Sequence, residues 1–327
     1  MNDKSKKRKK KFLYIEDAAE YDYHLPVLLR EAVDLLITRK DGIYIDGTLG
    51  GGGHAAEIIG RLNYGGTLIA FDKDEEAIKY NRVRLMGENR TNTGMPKIVL
   101  VNESFDKACS ITEGKAISGI LLDLGVSSRQ FDVAERGFSY RYDSNIDMRF
   151  GRKGESAETI LNTYSEEHIA DLLRQYGEEP KARQIAKSIV SFRRVSPLKS
   201  TGELIKIIQE SSNPKYLNRT LSRVFQALRI AVNNELEVLE YTLNNIANVM
   251  EKGGRIVVIS YHSLEDRIVK QAFKKQSQVQ HRDSIYGQPL DYPALKVVTK
   301  NPVVPSDEEL VRNPRSRSAK LRAAERM

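Results

Sequence analysis

The chain has 327 residues, of which 40% are apolar and 29% are charged, a balance typical of a soluble globular protein with one large or two ordinary domains. No apolar run approaches the ~18–20 residues of a membrane-spanning helix, and the apolar run after the basic start is too short for a secretory signal. A single cysteine, Cys109, excludes an internal disulfide framework and predicts a cytoplasmic protein.

The net charge of +8 is concentrated at the two ends of the chain. Residues 1–11 hold seven Lys or Arg and one acid, and residues 312–327 hold six Lys or Arg and one acid. Basic tails indicate contact with a polyanion such as a nucleic acid, although a solubilising disordered end explains residues 1–11 equally well. We expect residues 1–20 to form a basic, mostly disordered lead-in.

The first predicted strand leads into a glycine-rich turn. Ahead of it, Pro26 and the helical spacing that follows predict a helix beside this strand. Residues 43–46 are mostly apolar and end in Asp46, five glycines follow between residues 47 and 53, and a helical run resumes at Ala55. Strand, glycine turn and helix are typical of the start of a nucleotide-binding α/β domain, because glycine lets a ligand approach main-chain N–H groups closely.

Three further strands follow, and two of them close with an acid. Residues 67–72 end in Asp72, at the spacing from the glycines where a carboxylate hydrogen-bonds the ribose hydroxyls of a bound adenosine. A helix is predicted over 74–86, a third strand over 97–102, and a fourth over 119–124 that carries Asp123 near its end. Continuous apolar strands that alternate with helices predict a parallel sheet covered on both faces.

After the fourth strand the pattern becomes helical and rich in arginine. Helical runs over 165–176, 182–192 and 201–210 predict an inserted helical domain at 128–218, which divides the α/β domain at 21–127 and 219–327. No acid occurs between Pro180 and Lys199, although this stretch holds six Lys or Arg. A phosphate-contact surface explains that charge at least as well as a solvated helix face.

The sheet pattern resumes after residue 220. Apolar residues that recur every three or four positions predict one long helix over 221–250, ended by Gly253 and Gly254. A fifth strand is predicted over 255–260, a helix over 263–273, and closing strands over 296–299 and 319–324.

The glycine turn alone does not identify the cofactor. It fits the loose dinucleotide fingerprint and an S-adenosylmethionine site equally well. Asp46, Asp123 and the two closing strands favour a methyltransferase over an NAD-dependent oxidoreductase. A non-catalytic RNA-binding protein would explain the basic tails but not the combination of Gly52, Asp72 and Asp123. No spacing of acids matches a recognised metal-ligand loop, so no metal site is predicted.

Seven stretches together resemble one family closely over nearly the whole chain from Tyr23 to Arg326. They are YIDGTLGGGGH at 44–54, LLDLGVSS at 121–128, ERGFS at 135–139, DMR at 147–149, FQALRIAVNNEL at 225–236, VISYHSLEDR at 258–267 and NPRSRSAKLR at 313–322. On these motifs the chain resembles the bacterial 16S rRNA (cytosine-N4)-methyltransferases, the RsmH or MraW family.

The resemblance implies a class I S-adenosylmethionine-dependent methyltransferase fold, with a Rossmann-like, mostly parallel sheet and an inserted helical domain. The implied reaction is N4-methylation of a cytidine in the decoding region of 16S rRNA on the 30S small ribosomal subunit. The resemblance also implies that seven residues contact the cofactor: Gly52, Gly53, His54, Asp72, Phe105, Asp123 and Gln130. It leaves open whether the protein is a homodimer.

The acceptor amine is the chemical difficulty, because the N4 lone pair of cytosine is delocalised into the ring. Related amino-methyltransferases often have an acid or amide followed by Pro-Pro-aromatic after the fourth strand, whereas here Asp123 is followed by Leu-Gly-Val. Our hypothesis is that Asp123 and the carbonyls after it orient the cofactor and the amine.

His262 follows the fifth strand, and either a general-base or base-stacking role or simple packing beside a helix start capped by Ser263 is consistent with its position. Four arginines are predicted to contact RNA phosphates, against the alternative of internal ion pairs: Arg136, Arg149, Arg315 and Arg317.

Overall fold

The computed structural model describes residues 25–87, 94–112, 114–126, 136–279, 289 and 292–327. The lead-in predicted over 1–20, the first residues of the predicted insertion and the predicted cofactor residue Gln130 lie outside this part of the chain. Within it, no helix is long and apolar enough to cross a membrane.

The described residues form one seven-stranded sheet. Its strands are β1 Ile43–Asp46, β2 Thr67–Phe71, β3 Lys97–Val101, β4 Ile117–Asp123, β5 Met250–Ser260, β6 Leu295–Val297 and β7 Lys320–Arg326. Their order is β3-β2-β1-β4-β5-β7-β6, and β7 runs antiparallel to both of its neighbours while the other pairs are parallel. The predicted class I, Rossmann-like methyltransferase sheet is confirmed.

The chain order of the strands reverses between β1 and β4, which lie side by side with Asp46 opposite Leu121. In open α/β sheets, ligands bind outside the carboxyl ends of the strands at such a reversal. Asp46, Asp72 and Asp123 therefore end up at one edge, because each stands at or directly after the carboxyl end of its strand.

Helices cover both faces of the sheet. The described α-helices are α1 Leu29–Leu36, α2 Gly53–Arg61, α3 Glu75–Asn81, α4 Ala108–Ile111, α5 Ala157–Thr163, α6 Glu166–Gly177, α7 Ala182–Arg193, α8 Thr201–Ser211, α9 Leu217–Asn233, α10 Glu235–Asn245, α11 Ser263–Gln276 and α12 Asp307–Arg312. Strand β4 supplies both faces of the core: Leu121 packs in the cluster with α1 and α2, whereas Leu122 packs in the cluster with α10 and α11.

A separate apolar cluster joins helices α5 to α8, and it also includes Leu221, Val224 and Leu228 of α9. The three helices predicted in this part of the chain correspond to α6, α7 and α8. Because α9 shares their core, we propose that the inserted unit continues to the end of α9 rather than ending at residue 218.

The prediction of one long helix over 221–250 is wrong. Helix α9 ends at Asn233, Asn234 has left-handed backbone angles (φ 51°, ψ 41°), and α10 begins at Glu235. Apolar spacing continues across the break, which is why periodicity did not show it, while Asn is a residue that tolerates the left-handed conformation. Gly253 and Gly254 do not end a helix either, since they lie within β5.

The helix predicted over 74–86 is shorter in its α-helical part. Helix α3 ends at Asn81, and the chain continues as a π-helix over Arg82–Met86.

Candidate active site

The glycine turn between β1 and α2 is held from behind by α3 and the π-helix. Gly50 and Gly52 have φ angles of +48° and +74°, which L side chains rarely adopt. Asn81 Nδ2 donates to the Gly50 carbonyl at 2.8 Å, and Arg84 Nη1 donates to the Gly51 carbonyl. A Cβ added to Gly52 would overlap Asn81 Oδ1. Backbone angle and packing therefore both require glycine at this position.

Asp72, directly after β2, closes the turn from the other side. Its Oδ2 accepts from Gly50 N at 2.8 Å, and its Oδ1 accepts from Asp74 N at 2.8 Å. Burial raises the pKa of Asp72 to about 6, although these two donors act to lower it. Each carboxylate oxygen keeps accepting capacity for a further donor. The geometry suits the predicted contact with ribose hydroxyls.

A cavity of about 500 Å³ opens at this edge of the sheet, a size usual for a ligand pocket. Gly53, His54, Asp72, Phe105 and Asp123 all line it, so the structure brings these predicted residues together, whereas Gly52 is not one of the lining residues. Further lining residues come from the segment before α1, the insertion, α9, α10, the end of β5 with α11, and the segment before β7, and they include Leu25, Pro26, Val27, Tyr140, Arg141, Phe150, Arg229, Asn233, Glu235, Tyr261, Glu265, Asn313 and Arg315.

Asp123 is held at the end of β4 by three contacts. Its backbone N–H donates to Thr48 Oγ1 at 2.7 Å, Tyr261 OH donates to its Oδ1 at 2.8 Å, and its Oδ2 lies 3.6 Å from His54 Nδ1. Burial raises the pKa of Asp123 to about 7, and Glu265 adds to this, against the lowering effect of the Tyr261 hydroxyl. A carboxylate with a pKa near the working pH is suited to accept a proton.

His262 is the N-cap of α11, one residue before the cap predicted at Ser263. Glu265 N donates to His262 Nδ1 at 3.4 Å, and Glu265 Oε2 accepts from the N–H groups of Tyr261 and His262 at 2.8 and 3.3 Å. His262 is absent from the cavity wall, whereas Glu265 and Tyr261 form part of it. The packing alternative fits this placement, and a direct chemical role for His262 remains an untested prediction.

An ion pair in the cavity wall, whose side chains are 14% and 10% exposed, was not predicted from the sequence. Arg229 Nε and Nη2 donate to the two carboxylate oxygens of Glu235 at 2.8 and 2.9 Å. In one continuous helix, residues six apart do not face each other, so the pair depends on the break at Asn234. Tyr261 was also missed, although its position directly after a strand at the ligand edge was a usable signal.

The four predicted RNA-contacting arginines separate into two groups. Arg136 pairs with Asp74 and donates to the carbonyls of Arg149 and Phe150 at 2.9 and 2.7 Å. Arg149 pairs with Asp147 at 2.7 Å. The internal ion-pair alternative therefore describes these two arginines.

The other two arginines are near the C-terminus. Arg315 and Arg317 are exposed, and Arg315 lies at the cavity wall. For them, phosphate contact remains a prediction.

Asp46 is 1% exposed, and its Oδ2 has no hydrogen-bond partner among the described residues. Burial raises its pKa to about 6, offset in part by His54. Because the folded pKa exceeds the unfolded value of about 3.9, ionisation of Asp46 destabilises the fold as the pH rises between these two pKa values, and the penalty is complete above the higher one.

We expect Asp46→Asn to raise the free energy of unfolding by up to about 3 kcal/mol at pH 8. Urea denaturation from pH 4 to 8 measures this.

The same experiment contains its own control. Near pH 4 the carboxyl is protonated in the folded state and about half protonated in the unfolded state, so the gain from Asp46→Asn should shrink to about 0.5 kcal/mol. If Asp46→Asn changed the free energy of unfolding by the same amount at pH 4 and at pH 8, the assigned pKa would be contradicted.

Comparison with known proteins agrees with the resemblance. The sequence model of the MraW methylase family matches residues 22–327. A ribosomal RNA small subunit methyltransferase H from Halothermothrix orenii is 43% identical over 324 residues, covering 93% of this chain and 98% of the relative. A protein of the same name from Lactobacillus acidophilus is 44% identical over 316 residues, covering 93% and 99%.

Proposed function

The chain belongs to the MraW methylase family, and on that premise we propose that it methylates N4 of a cytidine in the decoding region of 16S rRNA on the small ribosomal subunit. Its cofactor is S-adenosylmethionine, as the sequence predicted, rather than NAD. Relatives over 40% identical carry the name of small-subunit rRNA methyltransferases, which supports rRNA of that subunit as the substrate.

The residues of the cavity fit the cofactor. Asp72 offers acceptors for ribose hydroxyls, Phe105 offers an apolar surface for a nucleobase, and the glycine turn brings main-chain atoms of Gly50, Gly51 and Gly53 to the wall. When bound, S-adenosylmethionine supplies a methyl group that is already activated by its sulfonium sulfur. The protein therefore needs mainly to align the acceptor and remove its proton.

The position of Asp123 in the cavity is the main observation that supports the proposal. It lies in the same cavity as the glycine turn, Tyr261 fixes one of its oxygens, and its pKa of about 7 allows it to take a proton near neutral pH. An exocyclic amine that becomes methylated must lose one proton, and a carboxylate at hydrogen-bond reach can accept it. The amine of a paired base is inaccessible, so the target base must be unstacked to enter this cavity.

A basic stripe on α7 supports contact with RNA. Arg183, Lys187 and Arg194 are exposed, and their spacing of four and seven residues places them on one face of the helix and its C-cap. The first turn of α7 holds no acid. Phosphate contacts made by such a stripe contribute affinity that falls steeply with salt.

We expect the double variant Arg183→Glu/Lys187→Glu to weaken binding to a 16S rRNA fragment about tenfold or more, because two phosphate-binding charges become repulsive. The slope of log affinity against log salt should also decrease by about two. Filter binding at several salt concentrations measures both quantities.

The matched control is Lys270→Glu/Lys274→Glu, which makes the same charge change at the same spacing on α11, outside the insertion. Its net-charge effect is identical, so any larger loss in the α7 variant reports local contact. Equal losses in the two variants would show that only net charge matters.

The proposed reaction is tested by transfer of a radiolabelled methyl group to 30S particles from a strain that lacks the enzyme, followed by mapping of the labelled nucleotide. The expected product is one N4-methylated cytidine in the decoding region. Label at another atom or nucleotide, with S-adenosylhomocysteine bound normally in a calorimetric titration, would overturn the substrate assignment.

A further inference from the structure

His54 at the start of α2 has a tautomer that its surroundings determine. The ring is 6% exposed, and its Nε2 lies 3.1 Å from the carbonyl oxygen of Val27. A carbonyl only accepts hydrogen bonds, so Nε2 carries the hydrogen. In the neutral ring, Nδ1 therefore presents a lone pair.

The C-terminal part of the chain holds the Val27 carbonyl in place. Glu309 Oε1 accepts from Leu28 N at 2.8 Å, and Asn313 Nδ2 donates to the carbonyl of Leu25 at 3.0 Å. These contacts fix the backbone on both sides of Val27. The orientation of the His54 ring is thus set by residues distant in sequence.

The lone pair of His54 Nδ1 faces Asp123 Oδ2 at 3.6 Å. The other oxygen of Asp123 is occupied by the Tyr261 hydroxyl. With Asp123 ionised, an anionic oxygen and a lone pair face each other and repel. One proton between them removes the repulsion, since Oδ2–H can then donate to Nδ1.

We propose that His54 is a positioning residue for proton removal and that it acts through Asp123. When Asp123 has taken a proton from the target amine, Nδ1 of His54 accepts a hydrogen bond from that proton. This rests on the proposed function. In the step, the N–H bond of the methylated nitrogen breaks, its electron pair stays on nitrogen, and an O–H bond forms at Asp123 Oδ2. The 3.6 Å separation shortens in that state, as catalytic contacts of free enzymes commonly do.

The groups around the pair act in opposite directions, and burial is the largest influence on both His54 and Asp123. Burial lowers the pKa of His54, against the raising effects of Asp46 and Glu309, so the ring is neutral when Asp123 begins to accept. The remaining titratable groups that act on the pair are Tyr261 and Glu265, which act on Asp123. Neither of them supplies a second acceptor at Oδ2 in the described structure.

Two substitutions separate the two ring nitrogens. His54→Gln keeps a donor near the Nε2 position for Val27 and removes the acceptor at Nδ1. His54→Asn places an acceptor near the Nδ1 position and loses the contact with Val27. Thermal unfolding and calorimetric affinity for S-adenosylhomocysteine verify that each variant folds and retains its cofactor site.

We expect His54→Gln to lower kcat ten- to hundredfold and to move the acid limb of the kcat–pH profile to lower pH by about one unit, because protonated Asp123 loses its acceptor. His54→Asn should recover a substantial part of kcat. A His54→Gln variant with wild-type kcat and an unmoved acid limb would overturn the proposal. It would also be overturned if His54→Asn recovered no kcat and the acid limb of His54→Gln did not move.

A second measurement does not depend on methyl transfer. In a ¹⁵N spectrum of the five histidine rings, the His54 signals, identified by their loss in His54→Gln, should show the Nε2–H tautomer. Asp123→Asn should shift the Nδ1 resonance. The Nδ1–H tautomer, or a resonance that ignores Asp123→Asn, would refute the pairing. This result is independent of which nucleotide is methylated, so it fails separately from the proposed function.

Discussion

Asp123→Asn is expected to reduce single-turnover methyl transfer about 10²- to 10⁴-fold, the usual contribution of a positioned proton acceptor. The amide keeps the shape of the carboxyl and still accepts from Tyr261 OH, which lies 2.8 Å from Oδ1 in the wild type. It has no basic oxygen, so the proton of the target amine has no acceptor. The affinity for S-adenosylhomocysteine should change only a few-fold. Near-normal turnover with normal cofactor affinity would eliminate Asp123 as the acceptor.

Tyr261→Phe is the matched control, since it removes one hydroxyl and leaves the carboxylate. The hydroxyl lowers the pKa of Asp123, so its loss should raise that pKa and move the acid limb of the rate profile to higher pH. At pH 9 the variant should approach wild-type turnover, whereas Asp123→Asn should stay slow at every pH. A common defect in both variants at pH 9 would indicate damage to the cavity rather than a missing proton acceptor.

The acids at the strand ends were predictable from the sequence for a physical reason. Buried parallel strands are continuous apolar runs, so a terminal acid such as Asp72 or Asp123 marks where the strand leaves the core. Parallel strands end at the same edge, which places these acids together without any knowledge of their contacts. Gly53, His54 and Phe105, which the family resemblance supplied, line the same cavity, and their contact with the cofactor stays a prediction.

Contacts between distant parts of the chain were not predictable in the same way. Neither Asn313 on the Leu25 carbonyl nor Glu309 on Leu28 N has a local pattern that reveals it. The Arg229–Glu235 pair was hidden because apolar periodicity runs through the helix break. Charge runs were equally ambiguous, since an arginine that pairs inside the fold, such as Arg136, has the same sequence signature as one that binds phosphate.

Gly52→Ala is expected to lower the free energy of unfolding by about 2–3 kcal/mol. The left-handed backbone costs an L residue about 1–2 kcal/mol, and the overlapping Cβ would displace Asn81 and break its hydrogen bond to Gly50, worth about 1 kcal/mol. Displacement of the turn should also weaken S-adenosylhomocysteine binding tenfold or more, since 1.4 kcal/mol is a factor of ten. Chemical denaturation and calorimetry measure the two losses.

Gly60→Ala, in the same helix α2, tests whether the effect belongs to the turn rather than to glycine in general. A Cβ at Gly60 meets no atom within 4 Å, and the position is exposed and helical. Alanine should therefore stabilise the protein by about 0.5–1 kcal/mol and leave cofactor affinity unchanged. If Gly52→Ala bound S-adenosylhomocysteine as tightly as Gly60→Ala does, the turn would tolerate a side chain. Cofactor binding would then not depend on the backbone conformation that Asn81 and Asp72 hold.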